Sequence, residues 1–559
     1  MAKRGKLVLG VDVGTGSARA ALFDLKGHRQ GMGVSPIKMW KPRPRFAEQS
    51  STNIWKAVCR AVQAAMREAK AKPGEVGSLG FDATCSLVVL DREGDPLTVS
   101  PTREAEQNVI VWMDHRAIPQ AERINATRHK VLRYVGGTIS PEMQPPKLLW
   151  LKENLPRTFA KAGFFLDLPD FLTFRATGVD IRSLCTTVCK WTYQGHARTS
   201  KHAASFGKWD GSFWEKIGIE EFPREDFVRI GRVIRPMGEP VGTGLTRTAA
   251  KELGLQEGTP VGVALIDAHA GGIGMLGAPG GGGLTAARLE RTLALIGGTS
   301  SCHMAVSREA KFVPGVWGPY YSAMVPEMWL TEGGQSATGA LIDHVLFSHR
   351  RSVELEKEAK RTGSSVYTIA DELVHELARV EGLDFPAGIT AERHVLPYFH
   401  GNRSPRADPS LKGAVWGLTL DNSVEDLVRT YYATVQAIAY GTRHIIETVN
   451  ARGYHIEEIV ACGGGTKSNI YLGEHADATG CPIVIPREPE AVLLGAAMLG
   501  AVAAEFYPDL PTCMGEMNAM AERIKPAGGP TASYHDKKYK VFHQLYKDFT
   551  RTRKLMKDA

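Results

Sequence analysis

The 559-residue chain has few cysteines and no long apolar run, and both shortages exclude classes of protein. No uninterrupted apolar stretch reaches the ~18 residues that a membrane-spanning helix needs, so we expect no membrane partner. The basic start, MAKRGKLVLGVDVG, leads directly into an apolar strand, and we expect no cleavable leader there. Eight scattered cysteines without paired zinc-site spacing predict free thiols in a reducing, cytoplasmic location.

Basic residues exceed acidic ones, and a formal net charge of +8 raises the question of a nucleic-acid partner. The excess is concentrated in residues 536–559, which contain eight Lys/Arg and three Asp. Four aromatic residues recur there at helical spacing: Tyr539, Phe542, Tyr546 and Phe549. We therefore interpret residues 531–559 as a C-terminal amphipathic helix packed on the body with a solvated basic face, and we expect no nucleic-acid partner.

Residues 7–27, LVLGVDVGTGSARAALFDLKG, predict a β-hairpin, because two apolar runs flank a tip of small residues. The tip consists of Gly14, Thr15, Gly16 and Ser17. Small side chains let backbone N–H groups close on an anion such as phosphate, and Asp12 at the mouth can hold a divalent cation beside it. An ordinary hairpin with a small-residue turn would show the same pattern, so this stretch alone does not decide.

A weaker copy of this plan lies at residues 293–307, LALIGGTSSCHMAVS. Two hairpins whose tips can bind phosphate suggest two related halves that face one nucleotide. This arrangement is similar to that of the sugar-kinase, heat-shock-protein and actin superfamily. The wider pattern resembles the FGGY family of carbohydrate kinases over nearly the whole chain, closest to its branch of D-ribulokinases, ribitol kinases and ribulokinases.

Three further motifs carry the resemblance. WMDHR at 112–116 matches the family's Trp-x-Asp-x-Arg pattern, and PPKLLWL at 145–151 resembles its first signature. GAVWGL at 413–418 and the helix after it resemble the second signature, with Thr430 where a smaller residue is more usual. The resemblance implies an α/β protein with the two-domain actin-like ATPase (ribonuclease H-like) fold and an interdomain active-site cleft.

We place the domain boundary where an apolar strand ends in IDAHAGG. This gives an N-terminal sugar-binding domain at 1–265 and a C-terminal nucleotide-binding domain at 266–530, followed by the terminal helix. The PGGGG run at 279–283 predicts a flexible patch between the halves. Residues 349–390 are charged and predict a helical, peripheral insertion.

Phosphorylating a sugar hydroxyl needs a base, a cation, backbone donors and exclusion of water. Asp267 is the candidate base, because it ends an apolar strand beside glycines, where a cleft would close. The structural alternative is an Asp that caps the next helix. The resemblance favours the catalytic role and implies that Asp12 and Asp267 hold Mg²⁺.

The resemblance also implies where the two substrates bind. For ATP, it adds to the tip of the first hairpin the residues Gly298, Thr299, Gly463, Gly464, Gly465 and Asn469. For the sugar, it implies Asp267 and the pocket residues Ala83, Thr84 and Cys85, because TCSLV at 84–88 resembles a motif of D-ribulokinases. Lys190 and Glu332 align with sugar-contacting residues of ribulokinases, where a cation and an anion bracket hydroxyl groups.

The sequence is thus interpreted as an ATP- and Mg²⁺-dependent kinase, a homodimer, that converts D-ribulose to D-ribulose 5-phosphate. Ribitol and L-ribulose are alternative substrates, because discriminating them depends on pocket geometry. A non-catalytic ATP-binding chaperone or scaffold of the same fold would need no sugar-side base. The presence of Asp267 together with Lys190 and Glu332 argues against it. A catalytically inactive sugar sensor would be expected to have lost Asp12 or Asp267, and both are present.

Overall fold

A computed structural model describes residues 5–197, 207–278 and 284–557 of the protein. The run predicted as a flexible patch at 279–283 lies outside the described residues. No helix within the described ranges combines the length and the apolar character needed to cross a membrane.

The first half contains eleven strands and nine α-helices within the described ranges. The strands are β1 (Leu7–Val13), β2 (Ser17–Phe23), β3 (Arg29–Pro36), β4 (Glu48–Gln49), β5 (Val76–Ala83), β6 (Leu87–Leu90), β7 (Val109–Ile110), β8 (Phe164–Asp167), β9 (Arg182–Ser183), β10 (Ile234–Arg235) and β11 (Leu265–Ile266). The helices are α1 (Ser51–Glu68), α2 (Ile118–Ala126), α3 (Gln144–Asn154), α4 (Pro156–Lys161), α5 (Leu168–Thr177), α6 (Leu184–Lys190), α7 (Gly211–Lys216), α8 (Glu221–Arg224) and α9 (Arg247–Leu253).

The second half, as far as it is described, contains nine strands and ten α-helices. The strands are β12 (Thr292–Gly297), β13 (Ser301–Ser307), β14 (Trp317–Tyr321), β15 (Trp329–Gln335), β16 (His394–Leu396), β17 (Ala414–Trp416), β18 (Glu458–Gly463), β19 (Ile483–Pro486) and β20 (Met520–Ile524). The helices are α10 (Asp267–Leu276), α11 (Ala286–Leu289), α12 (Gly339–Ser348), α13 (Ser352–Thr362), α14 (Val366–Val380), α15 (Val424–Asn450), α16 (Asn469–Thr479), α17 (Ala491–Ala503), α18 (Leu510–Met517) and α19 (Gly529–Lys557).

Each half is built around one large sheet, and each sheet contains one of the two predicted hairpins. The first sheet has the strand order β11-β5-β1-β2-β3, and the second has the order β14-β15-β13-β12-β18-β19-β20. β1 and β2 form the first hairpin, and β12 and β13 form the second. In both sheets the leading hairpin strand also pairs with a parallel strand, β5 or β18. Both hairpin predictions are confirmed.

Helices α10 and α17 join the two halves. They pack so closely that a Cβ atom on Gly495 of α17 would lie 2.0 Å from the carbonyl oxygen of Ala270 on α10. α17 also packs against β1 and β5 of the first sheet, so one apolar core runs from Leu493 and Ala270 to Ala294 and Val460 of the second sheet. This alanine-rich helix therefore connects the two sheets.

The charged region at 349–390 is helical, as the sequence predicts, and forms α13 and α14. It is not merely peripheral, because Ile369 and Val374 of α14 are buried in the apolar core that also contains Leu293 of β12. The apolar run that ends in IDAHAGG is predicted as a strand, but only Leu265 and Ile266 form one, β11. The preceding residues make single bridges instead, such as Pro240 with Gly262.

The C-terminal helix α19 packs on the body of the second half. Tyr539, Phe542 and Leu545 are buried in a small apolar cluster with Leu396 and Tyr440. The buried ammonium group of Lys538 donates hydrogen bonds to two backbone carbonyl oxygens of the second half, at 2.6 and 2.7 Å. The helix is therefore held by its apolar face and by one buried lysine side chain.

Candidate active site

Three aspartates meet where adjacent parallel strands of the first sheet end. Asp12 on β1 pairs in register with Asp82 on β5, and Asp267 directly follows β11, whose Leu265 pairs with Asp82. Neighbouring strands lie about 4.8 Å apart, and residues in register point to the same face. Carboxyl ends of parallel strands are the common location of binding groups in α/β proteins. The fold thus brings three carboxyl groups to one point beside the junction of the halves.

Asp267 is the first residue of α10 and is half-buried. Its carboxylate accepts a hydrogen bond of 2.7 Å from the backbone N–H of Ala268, whereas the helix-capping position belongs to Ile266. It therefore does not act as the N-cap that the sequence left open. Burial, and next the negative charge of Asp12, raise the pKa of Asp267 to about 6. At neutral pH the group is a carboxylate that can accept a proton.

Asp12 is held in place by a chain of charges that crosses between the halves. Arg19 contacts the Asp12 carboxylate through Nε at 2.7 Å and Nη2 at 2.5 Å, and both contacts reach the same oxygen, Oδ2. The Arg19 guanidinium also donates to Glu490, immediately before α17, at 2.7 Å. Arg19 thus orients Asp12 and leaves its Oδ1 atom unengaged by the guanidinium.

Asp82 was absent from the predicted site residues, although it lies at the same strand end as Asp12. It is fully buried, and neither carboxyl oxygen accepts a hydrogen bond from any described residue. Burial, then the adjacent Asp12, raise the pKa of Asp82 well above its usual range. A protonated Asp82 can donate to Asp12, whereas an ionised one would offer two oxygens to a cation. Oxygen-only donors of this kind are those that Mg²⁺ takes, so the site fits that ion.

The tips of the two hairpins have the same construction. The N–H of Gly14 donates to the carbonyl of Ser17 at 3.0 Å, and that of Gly298 donates to Ser300 at 2.8 Å, which closes each turn. The next N–H groups, of Thr15 and Thr299, have no acceptor among the described residues. They are therefore the available donors for phosphate oxygens, whereas Gly14 and Gly298 shape the turns.

The first tip is held in place by two side chains from elsewhere in the first half. Trp112 donates from its indole nitrogen to the Thr15 hydroxyl at 3.0 Å, and Gln49 donates to the Thr15 carbonyl at 2.7 Å. Ser17 belongs to β2 and Gly16 is exposed at the turn. The predicted Trp-x-Asp-x-Arg motif thus has a positioning role. Its other members, Asp114 and Arg116, form a fully buried ion pair at 2.7 Å.

The triple-glycine turn follows β18, beside the second hairpin. Gly463 has φ of +95°, and a Cβ atom there would lie 2.1 Å from the carbonyl oxygen of Gly297, so only glycine fits. Gly464 is exposed, and a Cβ atom there would meet nothing within 4 Å. Gly465 packs near the ring of Tyr471, and Asn469 is exposed at the start of α16. The turn is an open backbone surface of the size that a flat ring could cover.

Charged side chains dominate the surface around Lys190 and Glu332, the residues predicted to contact the sugar, and we call this surface the sugar-side wall. The Nζ atom of Lys190, the last residue of α6, lies 5.1 Å from the ring centre of Trp317. The Cζ atom of Arg403 lies 4.2 Å from the same ring centre. Arg403 forms an ion pair with Glu332 on β15, and His269 Nε2 lies 3.5 Å from the other Glu332 oxygen. Burial opposes the charge, but Arg403, His269 and Lys190 together outweigh it and hold the pKa of Glu332 well below its usual range. The wall therefore presents fixed positive and negative charges.

Lys190 is also buried, and burial alone would lower its pKa. Negative charge on neighbouring groups, on Cys85 at alkaline pH and on Glu332 already at neutral pH, outweighs burial and raises the pKa of Lys190 well above its usual range. The ammonium group is therefore charged at neutral pH. Such a charged donor can form strong hydrogen bonds to sugar hydroxyl or carbonyl oxygens.

The predicted pocket residues Ala83, Thr84 and Cys85 lie at the end of β5 and are buried. The Thr84 hydroxyl bonds the Ser86 hydroxyl at 3.0 Å, so the loop is internally fixed. Burial raises the pKa of Cys85 to about 12, so its thiol is protonated and unsuited to act as a nucleophile. These residues form the wall beside the three aspartates.

Several groups at this site were not predicted from the sequence: Asp82, Trp317, Tyr320 and Arg403. Tyr320 is buried, and its hydroxyl group has no hydrogen-bond partner among the described residues. Buried polar atoms of this kind usually meet a partner, and a polyhydroxylated ligand would supply one. Only Asp82 had a signal in the sequence, since it follows the same kind of apolar run as Asp12. Arg403 comes from a loop and shows none.

Comparison with known proteins identifies the family. The N-terminal and C-terminal domains of the FGGY family of carbohydrate kinases match residues 7–274 and 293–504. An FGGY carbohydrate kinase domain-containing protein of Xenopus laevis is 50% identical over 96% of both chains. A D-ribulokinase of Saccharomyces cerevisiae is 39% identical over 90% of this chain and 72% of its own length.

Solved structures show the same fold. A xylulose kinase from Rhodospirillum rubrum superimposes with a TM-score of 0.76 over 98% of this chain and 99% of its own, at 21% identity. The predicted α/β, two-domain actin-like fold with its interdomain cleft is confirmed. The domain boundary at residue 265, the assignment of site residues and the homodimer stay predictions. With both domains matched and close relatives across its length, this chain belongs to the FGGY family of carbohydrate kinases, as an ATP-dependent sugar phosphotransferase.

Proposed function

We propose that the protein phosphorylates the terminal hydroxyl of D-ribulose to give D-ribulose 5-phosphate. The observation that carries the catalytic part is the position of Asp267, an ionisable carboxylate with a pKa of about 6 between two other aspartates and the charged sugar-side wall. The likeness to a D-ribulokinase over 90% of this chain supports the choice of sugar, as does the TCSLV segment at 84–88.

In this reaction Asp267 accepts the proton of the attacking sugar hydroxyl while that oxygen attacks the γ-phosphorus of ATP. The bond from the γ-phosphorus to the β–γ bridging oxygen breaks, and ADP leaves. Positioning and electrostatics supply most of the rate of such transfers. Lys190 and Glu332 hold the sugar through charge-assisted hydrogen bonds, and the N–H groups of Thr15 and Thr299 receive phosphate oxygens.

The carboxyl groups of Asp12, Asp82 and Asp267 would hold Mg²⁺, which when bound neutralises phosphate charge. Arg19 orients Asp12 for this task through the contacts at 2.5 and 2.7 Å. Because Mg²⁺ keeps much of its water, these carboxylates act partly through water molecules.

The test of the substrate is ADP release, coupled to a detection enzyme, over a panel of D-ribulose, L-ribulose, ribitol, D-xylulose and glycerol. We expect the highest kcat/KM for D-ribulose, by at least about tenfold over each alternative, because buried polar groups reject sugars that leave them unpaired. Asp267→Asn protein prepared in the same way controls for contaminating kinases. A higher kcat/KM for ribitol or L-ribulose would replace D-ribulose as the substrate.

Phosphorus–carbon coupling in the NMR spectrum of the product locates the new ester. Coupling to C5 of the pentulose is expected. Coupling to C1 would show that the other terminal hydroxyl is the acceptor and would contradict this part of the proposal.

A further inference from the structure

A cluster of two thiols and an imidazole lies behind the sugar-side wall, and the kinase chemistry uses none of the three. Cys185 and Cys189 are four residues apart on α6, so they share one face of that helix. His269 lies in the first turn of α10. All three side chains are buried, and their sulfur and nitrogen atoms lie within 4.8 Å of one another. Cys185 Sγ is 3.0 Å from His269 Nδ1.

We infer that Cys185, Cys189 and His269 form a binding site for a thiophilic metal ion, with Zn²⁺ as the reference ion, and that its occupancy inhibits the kinase. Tetrahedral zinc, with bonds of about 2.3 Å to sulfur and 2.0 Å to nitrogen, places its ligand atoms roughly 3.5–3.8 Å apart. The observed cluster reaches this spacing with small side-chain adjustments. Sulfur donors select zinc over the Mg²⁺ that the carboxylates favour.

The surroundings of His269 match those of a metal ligand. Its Nδ1 atom faces Cys185, and its Nε2 atom faces Glu332 at 3.5 Å. Histidines that bind metals usually donate their other ring N–H to a carboxylate, which fixes the ring orientation. Glu332 is itself fixed by its ion pair with Arg403. The imidazole is therefore already turned with one nitrogen toward the two sulfur atoms.

The charge balance also suits zinc. Two thiols and a neutral imidazole carry no net charge, and the total is unchanged if the proton of Cys185 Sγ moves to His269 Nδ1, 3.0 Å away. Binding Zn²⁺ to the two sulfur atoms and the imidazole releases two protons, so the site stays neutral and buries no additional net charge.

Occupancy would act on the sugar site through its immediate neighbours. Cys189 precedes Lys190, and His269 follows Asp267 by two residues, so the ligands lie on the same two helices as the proposed sugar-binding cation and base. Drawing Cys189 and His269 onto the ion would shift Lys190 and Asp267, and it would also move His269 Nε2 relative to Glu332, which lies 3.5 Å away. The inhibition rests on the proposed function, whereas the metal site does not.

The binding test uses the untagged full chain with reduced thiols, without sugar or nucleotide. Competition with a chromophoric chelator measures zinc affinity and stoichiometry, and Co²⁺ in place of zinc reports thiolate ligation through its sulfur-to-cobalt charge-transfer band. We expect one high-affinity ion per chain and that band. Absence of the cobalt band in the wild-type protein would overturn the proposal without any variant.

Variants locate the site. Cys185→Ser, Cys189→Ser and His269→Gln should each lose at least about a hundredfold in zinc affinity, since even a residue that only supports a ligand costs 10–100-fold. Cys513→Ser is the matched control, because Cys513 is also a buried helical thiol but lies outside the cluster. Circular dichroism and the melting temperature show which variants are folded. Folded cluster variants that bind zinc like the control would contradict the site.

Inhibition is measured last, as ADP release with D-ribulose at increasing free zinc in wild-type and Cys513→Ser proteins. Turnover in both should fall to near zero as the ion binds and return when a chelator removes it. Full turnover with a filled site would overturn the inhibitory role while leaving the metal site intact. Absence of turnover before zinc is added would instead count against D-ribulose as substrate, so the two failures are distinguishable.

Discussion

The proposed nucleotide side of the cleft consists mainly of exposed backbone, whereas the proposed sugar side consists mainly of buried charged side chains. On the nucleotide side, Gly298, Thr299 and the triple-glycine turn present exposed backbone with little side-chain bulk. On the sugar side, Lys190 and Glu332 are buried charges, held by neighbours such as Arg403 and Trp317. The first surface depends on the absence of side chains, and the second depends on charged groups in fixed positions.

This difference indicates which surface determines the specificity for each substrate. Backbone N–H groups can bind phosphate, and exposed backbone can accommodate a flat ring, whatever side chains the rest of the protein carries. Such a surface is therefore shared by many proteins of this fold. Buried charges discriminate between sugars, because a ligand that leaves one of them unpaired loses substantial binding energy. Substitutions on the two sides should therefore separate the binding of ATP from the binding and turnover of the sugar.

The largest expected effect comes from Asp267→Asn. The amide keeps the shape of the side chain but cannot accept the hydroxyl proton, so turnover should fall by about 10² to 10⁴. The Kd for ATP, measured by calorimetry in the absence of Mg²⁺, should stay within about twofold of the wild type. The control is Asp24→Asn, a half-buried carboxylate in the turn after β2 and outside the site, and it should leave turnover unchanged. Parent-rate turnover of any pentulose by Asp267→Asn would remove this residue as the base.

Lys190→Met comes next, because it keeps the length of the side chain and removes only its charge. Losing a hydrogen bond from a charged donor costs about 1.5–3 kcal/mol, so the KM for the sugar should rise roughly 10- to 100-fold. Turnover at saturating sugar should fall less, since ground-state binding is what is lost. Lys190→Ala should show the same pattern. A larger fall in kcat than rise in KM would assign Lys190 to the transition state instead.

Gly464→Val tests the nucleotide side. A side chain at Gly464 meets nothing within 4 Å in the protein, so the variant should fold, but the branched group occupies the surface where the purine would lie. The Kd for ATP should rise at least about tenfold, equivalent to about 1.4 kcal/mol. Gly473→Val is the matched control, since Gly473 on α16 is also unobstructed. An unchanged Kd in the folded variant would remove this turn from the site.

The smallest expected effect is the response to pH. Protonation of Asp267 removes the base, so log kcat/KM should fall by about one for each pH unit below about 6. Lys190 stays charged and Glu332 stays ionised over this range, because the pKa of Lys190 is raised and that of Glu332 is lowered. The acid limb should therefore belong to Asp267. A flat profile between pH 5 and pH 7 would contradict that assignment.

The same contrast explains how much could be predicted from the sequence. The hairpin tips and the triple-glycine turn are local patterns, so the residues around Thr15, Thr299 and Gly464 are found by scanning the chain. Helix starts are also local: α15 begins after Ser423, whose side chain caps the helix by accepting a hydrogen bond from the N–H of Asp426. Ser50 caps α1 in the same way, through the N–H of Asn53.

The sugar-side wall could be predicted only in part. Lys190, Glu332 and Arg403 are brought together from three separate regions of the chain, and Glu332 and Arg403 are 71 positions apart. No local pattern marks Arg403, because its role depends on the position of a distant partner. Asp82 could have been predicted, because it follows an apolar run like the one before Asp12. The strand register then places the two residues side by side. Resemblance to a family supplied Lys190 and Glu332, but not the groups that fix them.

The most direct measurement is a calorimetric titration of ATP and of D-ribulose separately into Asp267→Asn and Gly464→Val. In the absence of Mg²⁺, we expect Asp267→Asn to bind ATP with the wild-type Kd. We expect Gly464→Val to bind D-ribulose with the wild-type Kd while its ATP affinity falls at least about tenfold. Weakened D-ribulose binding in folded Gly464→Val, or weakened ATP binding in Asp267→Asn, would contradict the division of the cleft into a backbone side and a charged side.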